Sequence, residues 1–244
     1  MQAVRRWRGA LTVLAGAGSA VRNGGLRPPA RRLLTELGVE VATDNDRLAA
    51  PDARGSLIVA NHLSWLDIVT ALAIEPTAFL AKREVGRWPL IGGLARRCGT
   101  MFIGRNELRG LPAVVADLAG ALRSGRSVLV FPEGTTWCGR CGGGEFRRAP
   151  FQAAIDARAP IRPLTFEYLQ GDEPSTVASF VGDDTLLASL RRVTQASDLQ
   201  VRVTAHDAFE PDGDRRELAA RAEASVRSVL TSARPRGIRQ AAHV

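Results

Sequence analysis

The 244-residue chain is poor in aromatic side chains, which make up 5% of it, and it has only three cysteines. Lys82 is its single lysine; every other basic side chain is an arginine. Scarce aromatics leave a binder of single-stranded nucleic acid without its stacking platform. Three cysteines build no disulfide framework, and the composition fits a reducing compartment. Cys138 and Cys141 form one C-x-x-C, but a structural zinc would need two more ligands from Cys98, His206 and the distant His243. The pair therefore reads as incidental loop cysteines, with thiol-redox chemistry as the alternative.

Acid is missing too. No aspartate or glutamate precedes Glu36, while Arg5, Arg6, Arg8, Arg22, Arg27, Arg31 and Arg32 crowd the same stretch. Over the whole chain, 33 basic against 25 acidic residues give a formal net charge of +8. A field of one sign gathers the opposite one, so an anionic partner is expected. With stacking groups scarce, an anionic membrane surface is favoured over nucleic acid. The uncharged run over residues 9–21 falls short of the roughly 20 apolar residues needed to cross a bilayer. It reads as an interfacial segment, arginines on headgroups and apolar residues at the acyl boundary. A signal peptide ending near Ser19-Ala20, or a helix that touches nothing, would produce the same pattern.

Along the chain, apolar runs and helical patterns alternate. A helix over residues 28–37 is stopped by Gly38. Strands are expected at 39–42, 57–60, 78–81, 100–103, 127–131, 161–168 and 199–209. Helices are expected at 64–73, 88–97, 111–123, 149–157, 185–195 and 214–232. The alternation argues for an α/β fold with a mostly parallel central sheet flanked by helices, carrying an N-terminal membrane-interfacial helical segment. No internal repeat or linker divides the chain. Residues 1–37 form the basic interfacial helices, 38–233 the α/β domain and 234–244 a disordered tail.

His62 falls where the strand over 57–60 hands over to a helix opened by Ser64, and Asp67 lies one turn inside that helix. A carboxylate at that depth can hold Nδ1–H of the imidazole and leave Nε2 free to take a proton from a hydroxyl. The same residues also fit a capping box, Ser64-x-x-Asp67, in which Asp67 would only serve the first turn. Lys82, Arg105 and Glu133 likewise follow strand ends, and in a parallel sheet these lie on one edge. For Arg105 and Glu133 the blander reading is a surface ion pair near a turn.

Four blocks occur in order: Asn61-His62-Leu63-Ser64-Trp65-Leu66-Asp67, Gly104-Arg105-Asn106, Phe131-Pro132-Glu133-Gly134-Thr135 and Ile161-Arg162-Pro163-Leu164. Together they resemble the glycerolipid acyltransferases typified by lysophosphatidic acid acyltransferase, over roughly residues 38–170. The resemblance implies that His62 is the general base, oriented by Asp67. It implies that Arg105, Glu133, Gly134 and Thr135 bind the acceptor and that Lys82 meets its phosphate. No cofactor or metal is implied; acyl-CoA or acyl carrier protein is the donor co-substrate. The acceptor it implies is a lysophospholipid, foremost 1-acyl-sn-glycerol-3-phosphate, with another lysophospholipid or a lyso-aminolipid as alternative acceptors; a non-catalytic membrane-surface module that retains the fold is the alternative to an enzyme. The expected location is the cytoplasmic face of the cell membrane, held peripherally or monotopically.

Two departures bear on the acceptor. The family has a glycine after the basic pair that follows E-G-T, where this chain reads Phe146-Arg147-Arg148-Ala149-Pro150. The insertion over residues 137–145, with its glycines and two cysteines, could act as a mobile lid or shape acceptor choice.

Overall fold

A computed structural model of the chain describes residues 2–51, 55–82, 99–103, 110–140 and 143–232. The helix expected at 88–97, Arg105 and the tail 234–244 lie outside the described residues.

Two helices come first, α1 (Gln2–Gly24) and α2 (Arg27–Leu37). Pro28 sits in the first turn of α2, where its missing N–H is not needed, and Gly38 ends the helix in the left-handed region at φ 72°. There follow β1 (Val39–Thr43), β2 (Leu57–Ala60), α3 (Trp65–Ile74), β3 (Ala78–Lys82) and β4 (Met101–Ile103). Next come α4 (Leu111–Arg123), β5 (Val128–Val130), α5 (Ala149–Ala157), β6 (Ile161–Gln170) and β7 (Glu173–Pro174). The chain closes with α6 (Leu186–Gln195), β8 (Leu199–Ala205) and α7 (Arg215–Ser232).

The sheet runs in the order β1-β8-β6-β2-β5-β3-β4, with β7 hairpinned onto β6. Strands β6, β2, β5, β3 and β4 are mutually parallel, as expected. β8 instead runs antiparallel to β6 and takes β1 with it, so the two strands at the β1 end of the sheet oppose these five. The alternation expected to continue to Phe209 stops at Ala205; Phe209 returns to the sheet through an isolated bridge to Ile161.

Two cores cover the two faces. Ile58, Ala60, Leu129, Leu164, Phe166 and Tyr168 meet buried side chains of α1, α2, α3 and α6, while Leu57, Val59, Val128 and Ile161 meet those of α4, α5 and α7. Because β2 is buried on both faces, its sequence is a continuous apolar run with no alternation. Ala10 of α1 is fully buried, so the first helix is packed on the molecule and does not stand free.

Candidate active site

β2, β5, β3 and β4 are parallel neighbours, so their C-terminal ends share one edge of the sheet. At that edge the chain leaves β2 through Asn61. Its side chain continues the ladder past the strand, with Nδ2 donating to Phe166 O at 2.9 Å and Oδ1 accepting from Phe166 N–H at 2.8 Å. The turn carrying His62 is thereby fixed to β6.

His62 Nδ1 lies 2.9 Å from Asp67 Oδ2. The same oxygen accepts the backbone N–H groups of Leu63 at 2.8 Å and Ser64 at 2.9 Å. Ser64 caps α3 in return, its hydroxyl accepting the Leu66 N–H at 3.3 Å. Capping box and oriented imidazole, which stood as alternatives, are both present in one carboxylate. Asp67 is completely buried and His62 is 18% exposed, so the acid is enclosed while the ring reaches solvent. Asp67 Oδ1 accepts the Tyr168 hydroxyl at 2.6 Å. Burial, then the negative charge of Asp67, pushes the Tyr168 phenol well above its usual range, so it remains a neutral donor.

The next strand supplies the second wall. Phe131, just past β5, stacks on the His62 ring with centroids 3.9 Å apart and planes 14° from parallel. Glu133 Oε2 accepts the His62 backbone N–H at 3.0 Å, and the His62 carbonyl accepts the Trp137 N–H at 2.8 Å. Burial pushes the Glu133 carboxyl up to about 7, against the opposing pull of the His62 N–H. Gly134 sits at φ 72°, and a side chain there would also meet the Arg147 guanidinium at 2.8 Å. A methyl at Gly143 would collide with Glu133 Oε1, so the 143–146 segment lies directly against the acid. α7 holds that segment in place. Arg227 donates to the carbonyls of Gly143 and Gly144, each at 3.2 Å, and Glu223 accepts the Phe146 N–H at 2.8 Å.

His62, Asp67, Glu133 and Gly134 are thus brought together, and Thr135 is exposed at the same turn. Lys82 ends β3 on the same edge, but its side chain lies outside the described residues, as does all of Arg105. Sequence reasoning missed Tyr168. A usable signal existed: it is the only tyrosine of the chain, it shares strand parity with Leu164 and Phe166, and a buried phenol needs a partner. It also gave no role to Asn61 or to the ring of Phe131, although both fell inside the quoted blocks.

The acyltransferase family model matches residues 41–167. The chain is 33% identical over 217 residues to the 1-acyl-sn-glycerol-3-phosphate acyltransferase of Neisseria meningitidis serogroup B, covering 85% of this chain and 84% of that protein. It is 36% identical over 214 residues to the lyso-ornithine lipid O-acyltransferase of Pseudomonas aeruginosa, covering 86% and 80%. The crystal structure of the 1-acyl-sn-glycerophosphate (LPA) acyltransferase from Thermotoga maritima matches with a TM-score of 0.62 at 18% identity, covering 98% of this chain and all of that one, and so shares the fold. The chain belongs to the acyltransferase family. It is an enzyme of lipid synthesis, an O-acyltransferase of the glycerolipid type that the four sequence blocks implied.

Proposed function

We propose that the protein moves a fatty acyl group from acyl-CoA or acyl carrier protein to the free hydroxyl of a lysophospholipid, first of all 1-acyl-sn-glycerol-3-phosphate, giving phosphatidic acid. The observation that carries this reading is the His62–Asp67 contact at 2.9 Å on a partly exposed ring. Asp67 accepts Nδ1–H, so Nε2 is the nitrogen that faces a substrate hydroxyl. His62 removes the hydroxyl proton as the oxygen closes on the thioester carbonyl, and a free alkoxide is avoided. Asp67 steadies the imidazolium that forms, which returns its proton to the leaving thiolate. The Gly134 N–H is committed to the Phe131 carbonyl at 3.0 Å, so the backbone donor for the developing oxyanion is assigned to Thr135. Lys82 and Arg105 hold the acceptor's phosphate, and Glu133 shapes the floor beneath it. The scheme needs no metal or cofactor.

Among the described residues, no helix is long and apolar enough to cross a membrane. The enzyme meets its lipid from the surface, with α1 at the interface on the cytoplasmic face. A lyso-ornithine lipid acceptor is the second reading, supported by the 36% identity to a lyso-ornithine lipid O-acyltransferase. A reaction offering lysophosphatidic acid, another lysophospholipid and lyso-ornithine lipid, each with acyl-CoA and acyl carrier protein donors and read by mass spectrometry, separates the two. Phosphatidic acid is the expected main product. Acylated ornithine lipid in its place moves the assignment to the second reading, and free fatty acid made without any acceptor rejects both. His62→Ala is expected to lower turnover at least ~100-fold with its melting temperature retained; full activity in that variant removes His62 from the mechanism.

A further inference from the structure

β6 pairs with β2 only over residues 161–164 and then runs on, so Tyr168 stands beyond the end of β2 on the face that carries α3. There its hydroxyl reaches back to the carboxylate that holds the histidine. The division of labour on Asp67 is uneven. Oδ2 takes His62 Nδ1 and two backbone N–H groups, whereas Oδ1, among the described residues, takes the Tyr168 hydroxyl.

We infer that Tyr168 is a positioning residue for acyl transfer, acting through Asp67: its hydroxyl pins Oδ1, fixes the carboxylate plane, and so sets how Oδ2 aims and how strongly it draws on the His62 ring. The inference rests on the reading of His62 as the base. Two physical effects follow from removing the hydroxyl. The carboxylate loses a lock against rotation, which disturbs the aim of the imidazole. It also loses a donor that shares its negative charge, so more of that charge bears on Nδ1–H and favours the imidazolium. Among the described residues, the other charged or titratable groups facing this pair are Glu133, from the turn after β5, and behind it Arg227 of α7. Both remain in place when Tyr168 is changed, so their influence is common to every variant compared.

The sequence offers an unusual control. Because Tyr168 is the only tyrosine, growth on 3-fluorotyrosine alters this position alone. Ring fluorine makes the phenol a stronger donor, the opposite perturbation to Tyr168→Phe. The test follows the His62 Cε1–H resonance through a pH titration by NMR, with the resonance assigned by its loss in His62→Ala, alongside steady-state kinetics over the same pH range. In Tyr168→Phe the His62 titration and the acid limb of kcat are expected to move to higher pH. The kcat plateau is expected to fall about tenfold with the acceptor KM unchanged. In the fluorotyrosine protein the His62 titration is expected to move to lower pH. A role in packing alone would lower the melting temperature without moving either titration in opposite senses. If neither substitution moves the His62 titration, the proposal is overturned, whatever His62→Ala does to turnover. If the titration moves while kcat stays at the wild-type value, positioning is overturned as well. Activity in His62→Ala then tells whether the base assignment falls with it.

Discussion

Glu133 is an acid placed where its charge is poorly hydrated, and its burial has a consequence that can be read in stability. Its ordinary value is 4.5 and its folded value about 7. Below pH 4.5 the carboxyl is neutral in both states and folding bears no charge penalty. Between pH 4.5 and about 7 the unfolded chain has released this proton while the folded one still holds it, so stability is lost across that window and the loss is complete once pH has passed 7. The full loss amounts to at most about 3 kcal/mol. Glu133→Gln keeps an oxygen to accept the His62 N–H and removes the titration. Thermal melts at pH 5 and pH 8 should therefore fall less steeply with pH in the variant than in the wild type; equal slopes would mean that the acid is better hydrated than its surroundings suggest. Asp67 makes a different point at the same scale. Its cap and its contact with the imidazole use one oxygen, so no single substitution there separates the start of α3 from the aim of His62.

At the scale of elements, α7 matters more to the site than its place at the end of the chain suggests. Arg227 and Glu223, one turn apart and 2.8 Å from each other, grip the backbone of the 143–146 segment that lies on Glu133. Arg227→Ala should loosen that segment. The acceptor KM is then expected to rise several-fold with a smaller change in kcat, and proteolytic cleavage within 137–146 should quicken; unchanged kinetics and unchanged cleavage would show that the glycines hold their course unaided. The helix itself was legible in the sequence, as were α3, α4 and α5, because caps, prolines and apolar spacing are local signals. The grip was not. A guanidinium meeting backbone carbonyls more than eighty residues away leaves no period to find. Strand direction was hidden for a related reason: the alternation in β8 is the same whether it runs with β6 or against it. Within the site, the blocks located His62, Asp67 and Glu133, but Tyr168 depended on how far β6 outruns β2, which pairing alone decides.

The molecule as a whole uses its N-terminal arginines in two ways. Arg6 donates to Ala196 O at 2.6 Å, Arg31 to Ala73 O at 2.9 Å and Arg27 to Ile74 O, so these three serve the carbonyls at the C-terminal ends of α6 and α3. Arg5, Arg8 and Arg32 are exposed, and under the proposed interfacial role of α1 they would meet anionic headgroups. Arg5→Gln with Arg8→Gln should weaken co-sedimentation with phosphatidylglycerol vesicles, and the wild-type binding should decline as salt is raised, while the melting temperature stays put. Vesicle binding unchanged in the double variant would move the contact elsewhere on the surface. The arginines that face inward have a mechanical consequence. Arg6 ties α1 to the end of α6; Arg192 of α6 holds the carbonyls of Val177 and Ser179; and Phe180, next along, donates to the Leu63 carbonyl at 2.9 Å, one residue past the histidine. If His62 is the base, as proposed, whatever bears the first helix also sets the altitude of the imidazole, as a tonearm sets its stylus, and a lipid hydroxyl would have to rise to that fixed height to be acylated.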